Sequence, residues 1–561
     1  MNHQEIRNEF LDFFKKKGHV IVPSSSLVPT DPSVLFTTAG MQQFKPYYLG
    51  EKSPFGLNTA SCQKCFRTSD IEEVGDTSHL TFLEMLGNFS FGLYFKEEAI
   101  SLAYEFLFKV LKLSQENVFF TVFEGDKNIP LDQESISIWK KLGVPNEKIK
   151  KFGKKDNFWG PTGDEGPCGP NTEIHINNTE VWNLVFNEYY QDKNNKLTPL
   201  KVKGVDTGMG LERLAMVLQK KSSVFETGLF NPITGELLKM AKVKPEERIE
   251  RIISDHVKSS VFLIADGILP SNVERGYVLR RVLRRAIRFG KLLKLDSNFL
   301  IPLAQKAIEI YQGVYPEVKS KEAEILTVIQ NEEEKFEKLL EKGIKEFNKL
   351  SQKGSLTGEE SFNLFATYGF PIEITKELAE EHSVNIDVKG FEQAFKKHQE
   401  ISRAGAEKKF GGVGKDAGYE SAKLHTATHL LHAALRKVLG KEVKQMGSDI
   451  NALRLRFDFS YNQKLTPDQI KDVERIVNEI INEDLEAIKE EMSFEHALKS
   501  GALAFFKDKY PEQVTVYSIK GFSKEICAGP HVKRTKELGS FKIIKEESSS
   551  AGVRRIRGVL N

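Results

Sequence analysis

Apolar and polar residues alternate with a period of two along VIVPSSSLV (20–28), NVFFTVFEG (117–125) and TEVWNLVFNEYY (179–190), a spacing that predicts strands. Gly- and Pro-rich turns such as GPTGDEGPCGPN (160–171) punctuate them. The first 230 residues therefore predict an antiparallel sheet with flanking helices. Beyond residue 235 the period lengthens to that of a helix. ERIERIISDHVKSSVFLIADG (247–267), ERGYVLRRVLRRAIRFGKLLK (274–294) and the charged heptad-like run 321–350 all follow it. AGAEKKFGGVGKDAGYESA (404–422) has few large apolar groups and predicts a linker. From Ala422 the pattern is mixed α/β. It opens on the helix AKLHTATHLLHAALRKVLG and includes a helix start with Thr466 as cap, Pro467 in the first turn and Gln469 closing a capping box. The expected fold class is α+β and multidomain, divided at 1–234, 235–403, a linker at 404–422, and 423–561.

Composition changes this picture little. Of 561 residues, 40% are hydrophobic and 28% charged, the mix of a soluble globular chain, and no apolar run reaches membrane-spanning length. The N-terminal segment is an amphipathic helix with acidic residues rather than a signal peptide, so a cytoplasmic protein without membrane attachment is expected. Four scattered cysteines make no disulfide framework. A net charge of +3 does not by itself point to nucleic acid, so the distribution of charge has to be read instead.

Activating a carboxylic acid with ATP requires cations for the triphosphate, an acid for a substrate ammonium, and a pocket that aligns the reacting groups. The first region offers each. Arg67 is placed on one strand, and Glu84, Met85 and Asn88 on the next. VDTGMGLERLAMVL (205–218) puts Asp206 before a Gly-rich turn and Arg213 on the helix after it. Two arginines on separate elements can clamp a triphosphate while Asp206 pairs with an ammonium.

Two further constellations stand out. Arg281, Arg284, Arg285 and Arg288 recur at i, i+3, i+4, i+7, with Val278, Val282, Leu283 and Ile287 left to face a core; an arginine stripe of this kind suits a phosphate backbone, or else is simply a solvated helix face. In the last region His425-x3-His429 lies on one helix and Cys527-x3-His531 in the loop CAGPH. Together they offer three imidazoles and one thiol, a set suited to tetrahedral Zn2+, with His432 a competing ligand on the same helix.

These segments resemble the alanyl-tRNA synthetase family of class II aminoacyl-tRNA synthetases. SSSLVPTDPSVLFTTAGMQQFK (24–45), CFR with TFLEMLGNFSFGLYFK (65–67, 81–96) and DTGMGLER (206–213) match its three motifs in order, and FWGPTGDEGPCGPNTEI and WNLVFNEYY match further stretches. The resemblance implies ligation of L-alanine to tRNA(Ala) with ATP and Mg2+. Arg67 and Arg213 are implied to hold ATP phosphates, Met85, Trp159, Asn183 and Val185 to line the amino-acid pocket, and Asp206 to bind the ammonium. It also implies a helical tRNA-recognition region in which Asn272, Arg281, Arg284, Arg285 and Arg288 meet the acceptor stem, and an editing-type domain that holds Zn2+ and hydrolyses mischarged seryl- or glycyl-tRNA.

The chain departs from the family in four places. Leu80 follows His79 where the family often has two histidines. Ala366, in LFATYGFPIEIT, stands where an aspartate reads the G·U wobble pair together with Asn272. The β-rich segment before HTATH and the C-terminal extension are expected to be missing, which points to a shortened form and a monomer. Two alternatives remain at this point: a mischarged-tRNA deacylase with an inert synthetase half, and a tRNA-binding protein without catalysis.

Overall fold

In a computed structural model the chain is described over residues 1–31, 33–398, 418–504, 511–550 and 552–561. Two compact units emerge, one comprising 1–353 with 363–383 and the other 354–362 with 384–561.

The first unit is built on a nine-stranded sheet. Its strands are β1 (Val20–Ile21), β2 (Asn58–Phe66), β3 (Phe82–Ser90), β4 (Val118–Phe123), β5 (Ile149–Phe152), β6 (Phe158–Trp159), β7 (Gly166–Ile176), β8 (Thr179–Gln191) and β9 (Leu197–Gly210). The order is β1-β2-β3-β9-β8-β7-β4-β5, with β6 paired to β7. All pairs from β2 to β4 are antiparallel, and only the edge pairs β1/β2 and β4/β5 are parallel. The stretch 20–28 yields only the two-residue β1. Pro23 cannot donate to a ladder, and beyond it Ser24 Oγ and the Ser25 amide bond instead to the Lys64 amide and the Gln63 side chain.

Helices close over one face of this sheet. The N-terminal helix His3–Lys16, capped by Asn2 and Glu5, buries Phe10 and Phe14 against Trp182 of β8, with ring centroids 5.8 and 6.4 Å apart. The helix Glu247–Ala265 stacks Phe262 flat on Phe82 of β3 at 3.9 Å. Beneath the sheet lies a buried charged network. The Arg7 guanidinium forks onto the Glu84 carboxylate, which also accepts from Tyr315 Oη at 2.8 Å. Lys258 Nζ lies 3.2 Å from Glu212, whose carboxylate accepts from the Glu84 amide. All five side chains are buried, and the opposed charges satisfy one another where water cannot.

In the second unit the helices Tyr419–Leu439 and Pro467–Asn482 pack on a four-stranded antiparallel sheet. The second of these helices starts with the capping box of Thr466 and Gln469 that its sequence predicts. After the short parallel pair β10 (Ser355–Leu356) and β11 (Asn385–Ile386), the sheet comprises β12 (Gln445–Ile450), β13 (Leu455–Ser460), β17 (Phe541–Ser550) and β18 (Val553–Leu560), in the order β12-β13-β18-β17. A second sheet joins β14 (Ala487–Ser493), β15 (Gln513–Ile519) and β16 (Ser523–Ile526). Leu430, Leu431, Leu435, Phe457, Val473, Val477 and Ile556 belong to the core of this unit. The linker read at 404–422 falls mostly outside the described residues, and its last four residues begin the helix Tyr419–Leu439.

Candidate active site and metal centre

Register across the sheet builds a cleft. Asp206 of β9 pairs with Val185 of β8, which pairs with Asn171 of β7. One pleat along, Gly208 pairs with Asn183, which pairs with Glu173. Gly210 pairs with Met85 of β3. Side chains two apart on a strand share a face, so Asp206, Val185, Asn171, Asn183, Glu173 and Met85 all point the same way. Gly208 leaves room among them, since a Cβ there would come within 2.9 Å of Met85 Sδ. Trp159, on the short β6, forms one wall.

The cleft encloses about 260 Å³. Arg67, Met85, Trp159, Asn183, Val185, Asp206 and Arg213, all seven of the residues expected from sequence, line it. Two local details differ from the sequence reading. Arg67 is the residue just past the end of β2, not within it, and DTGMG is the end of β9, which runs straight into the helix Leu211–Leu218 without a turn. Gly208 and Gly210 serve as small floor positions within the paired, extended strand.

Asp206 is the chemical centre. It is 5% exposed, and among the described residues nothing pairs with its carboxylate. Burial pushes its pKa up to about 7. An acid in this condition is a receptor for a cation. Asn183, by contrast, is fully oriented: its Nδ2 donates to Glu173 Oε1 at 3.2 Å, and its Oδ1 accepts from Asn171 Nδ2 at 2.8 Å. Glu173 accepts in turn from Thr121 Oγ1 and lies 2.8 Å from His175 Nε2. Arg67 Nε donates to the Thr38 carbonyl, and Arg213 is held at the rim by Glu180 at 3.0 Å. The sequence reading missed Asn171, Glu173 and Glu180. The first two sit in the period-two pattern of β7 (positions 171 and 173), the only signal that could have found them.

The arginine helix is corrected. Val278, Val282, Leu283 and Ile287 of the helix Glu274–Leu292 do face the core, but three of the four arginines of the stripe are buried too. Arg284 and Arg288 are 7% and 2% exposed. Arg284 forks onto Glu332, and Arg288 reaches Glu377 and Glu381. Arg285, also buried, bonds Glu377 and the Ile71 carbonyl. Acidic residues on later helices meet the stripe, so no open row of cations faces a phosphate backbone. Arg281 pairs with Glu72 nearer the surface. Asn272 is exposed in the turn before the helix and accepts from Arg280, and Ala366 is exposed on the helix Gly358–Tyr368.

In the second unit the potential ligand atoms of His425, His429, Cys527 and His531 all lie within 4.8 Å of one another. His425 Nδ1 faces the Pro530 carbonyl at 3.1 Å, which leaves Nε2 pointing inward, 3.3 Å from Cys527 Sγ. His531 Nδ1 is engaged by Thr426 Oγ1 at 3.1 Å, while its buried Nε2 has no hydrogen-bond partner among the described residues. That orphaned nitrogen is aimed into a cluster of imidazoles and one thiol. With Pro530 and Thr426 already holding the outer ring nitrogens, the arrangement fits a tetrahedral zinc ion. Burial depresses all three histidines, His425 to about 3, so their imidazoles are neutral as ligands must be. Burial also raises Cys527 to about 12, a thiol that only a bound cation would ionise. His432 is turned away onto Glu525 Oε1 at 2.9 Å.

Residues 5–453 match the profile of class II tRNA synthetases (A), and residues 514–557 match the second additional domain of threonyl and alanyl tRNA synthetases. The alanine–tRNA ligase of Borrelia hermsii is 48% identical, with all of both chains covered. That of Treponema denticola is also 48% identical over 99% of this chain and 98% of its own. The Thermotoga sp. alanine–tRNA ligase is 40% identical over all of this chain and 80% of its own length. Among solved structures, aspartyl tRNA synthetase from Entamoeba histolytica superposes at a TM-score of 0.26, with 12% identity over 41% of this chain and 56% of that one. Sheet, motif order and full-length relatives agree: the chain belongs to the alanyl-tRNA synthetase family of class II tRNA synthetases.

Proposed function

We propose that this enzyme is an alanine–tRNA ligase whose reaction runs in the Asp206 cleft. A buried carboxylate without a partner among the described residues carries this reading, because an amino-acid ammonium is the ligand it lacks. Asp206 binds the ammonium of L-alanine, and Val185, Met85 and Trp159 crowd its methyl group. Asn183, held rigid by Asn171 and Glu173, orients the substrate. Arg67 and Arg213 clamp the ATP phosphates, with Mg2+ offsetting their charge. A carboxylate oxygen of alanine attacks the α-phosphorus and pyrophosphate leaves. The terminal hydroxyl of tRNA(Ala) then attacks the carbonyl carbon of the adenylate and AMP leaves.

Aminoacylation is assigned to 1–234, tRNA recognition to 235–403, and zinc binding through His425, His429, Cys527 and His531 to an editing-type body at 423–561; the compact units divide differently, since 354–362 and the described residues from 384 belong with the second. Asn272 and Arg281, the less enclosed members of the expected set, are the better supported tRNA contacts. A pocket built to enclose a methyl group rejects serine or glycine by only about 10²-fold, so hydrolysis of mischarged tRNA in the second unit is the complementary activity. We assign the enzyme to the cytoplasm.

The test is alanine-dependent ATP–pyrophosphate exchange, followed by charging of transcripts with a third acceptor pair of G·U or G·C. Exchange with charging supports the ligase. Deacylation of seryl-tRNA without exchange supports the deacylase alternative. Charging of both transcripts assigns relaxed pair selection to Ala366.

A further inference from the structure

The segment from Thr68 to Thr81, between β2 and β3, contributes Asp70, Ser78 and Leu80 to the cleft and follows Arg67 directly. It is not held by its own sheet alone. The Arg67 amide donates to the Thr81 carbonyl at 2.8 Å. Thr81 in turn donates twice to Asp255, through its amide at 3.0 Å and through its hydroxyl. Asp255 lies in the middle of the helix Glu247–Ala265 and is fully buried.

From Asp255 a chain of polar contacts continues. His256 Nδ1 is 2.9 Å from Asp255 Oδ2, and His256 Nε2 is 3.1 Å from Arg285 Nη1. Burial lowers the pKa of His256, which keeps the ring neutral, donating on one side and accepting on the other. Arg285 Nη1 also donates to the Ile71 carbonyl, inside the segment, at 2.6 Å, and its Nε bonds Glu377. Arg251 reaches the Gly75 carbonyl at 3.3 Å, and Arg281 meets Glu72. Buried Arg285, which the sequence pattern offers to a nucleic acid, bonds this segment instead, and the less enclosed Arg281 touches it through Glu72.

We infer that Asp255 and Arg285 are positioning residues that fix Arg67 and the Thr68–Thr81 segment in place for ATP. The inference rests on the proposed role of Arg67. Asp255 acts through Thr81 on the backbone of Arg67, and Arg285 acts through Ile71 on the same segment. Neither lines the cleft. Losing them leaves the alanine half intact, since Asp206, Val185 and Asn183 stand on β8 and β9.

The experiment uses the full chain and the variants Asp255→Asn, Thr81→Val and Thr81→Ser. ATP affinity is read by calorimetric titration without alanine, and KM for ATP and for alanine by pyrophosphate exchange. Asp255→Asn and Thr81→Val are expected to weaken ATP about tenfold while KM for alanine stays within about twofold, and Thr81→Ser, which keeps the hydroxyl, is expected to retain ATP binding. A merely structural role lowers the active fraction and leaves both affinities unmoved, which overturns the inference. If Asp255→Asn does not fold, Thr81→Val decides, because it removes one hydroxyl and leaves the backbone N–H that donates to Asp255. Wild-type protein that binds ATP but gives no exchange would sink the ligase reading and leave this inference to the titration.

Discussion

Asp206 and Val185 stand directly opposite each other in the β8/β9 ladder, so a buried acid and a branched apolar side chain share one patch of cleft floor. In the proposed function this pair selects the substrate, a charge to be matched beside a surface that leaves room for a small group. Asp206→Asn keeps the shape and removes the charge. KM for alanine is expected to rise by about 10² or more, in line with the loss of a buried charge-assisted pair, while KM for ATP changes little. Exchange kinetics check both.

The pH dependence follows from the raised acid. With its folded pKa near 7 against 3.8 for the free side chain, Asp206 holds a proton below neutrality and binds no ammonium. KM for alanine should therefore fall as pH rises through about 7 and then level off. The ligand-free protein should lose stability as pH rises across about 4 to 7, where the carboxyl of the unfolded chain ionises while the buried one keeps its proton, and added alanine should offset that loss above this range. Thermal melts on either side of neutrality, with and without alanine, read the sign directly.

Gly208→Ala places a methyl group against Met85, a side chain that can move. The fold should survive and the pocket shrink, raising KM for alanine roughly tenfold while glycine activation is spared; Val185→Ala should act in the opposite sense and admit serine more readily. Exchange assays with all three amino acids separate these outcomes.

The metal centre predicts about one equivalent of zinc in purified protein by elemental analysis, lost in His531→Ala. Thr426→Val is the finer probe. It removes the hydroxyl that engages His531 Nδ1 and should weaken zinc about 10- to 100-fold without removing a ligand. Unchanged zinc affinity in that variant would count against the assigned orientation of His531.

Arg284→Ala should cost roughly 1 to 3 kcal/mol of stability, since it removes both Arg284 contacts to buried Glu332 and leaves Arg280, at 3.2 Å, as the remaining cation there. A residue that served tRNA alone would leave the melting temperature unchanged and weaken only charging.

Much of the cleft was legible because its residues fall in long ordered segments, and strand periodicity places Asn183 and Val185 on one face without any structure. The arginine helix departs from its sequence reading for a physical reason. Helical spacing reports which residues share a face but not what packs on that face, and the acidic residues that cover Arg284 and Arg288 are Glu332, Glu377 and Glu381, which come from much later in the chain. Asn171 and Glu173 were missed because their one signal, the period-two spacing of β7, does not say which face of the sheet lines a site. DTGMG reads as a turn by composition, yet its strand partners hold it extended.

The network under the sheet bears on how the chain is made. Glu84 is fully buried, and its partners are Arg7, 77 residues earlier, and Tyr315, 231 residues later. Lys258, likewise, arrives 46 residues after Glu212. A chain emerging from the ribosome in order has the catalytic strands long before it has the groups that neutralise and satisfy them. The sheet can therefore settle fully only after more than half of the protein has been synthesised, and the interval before Tyr315 appears is when an interruption or a chaperone has the greatest influence on the outcome.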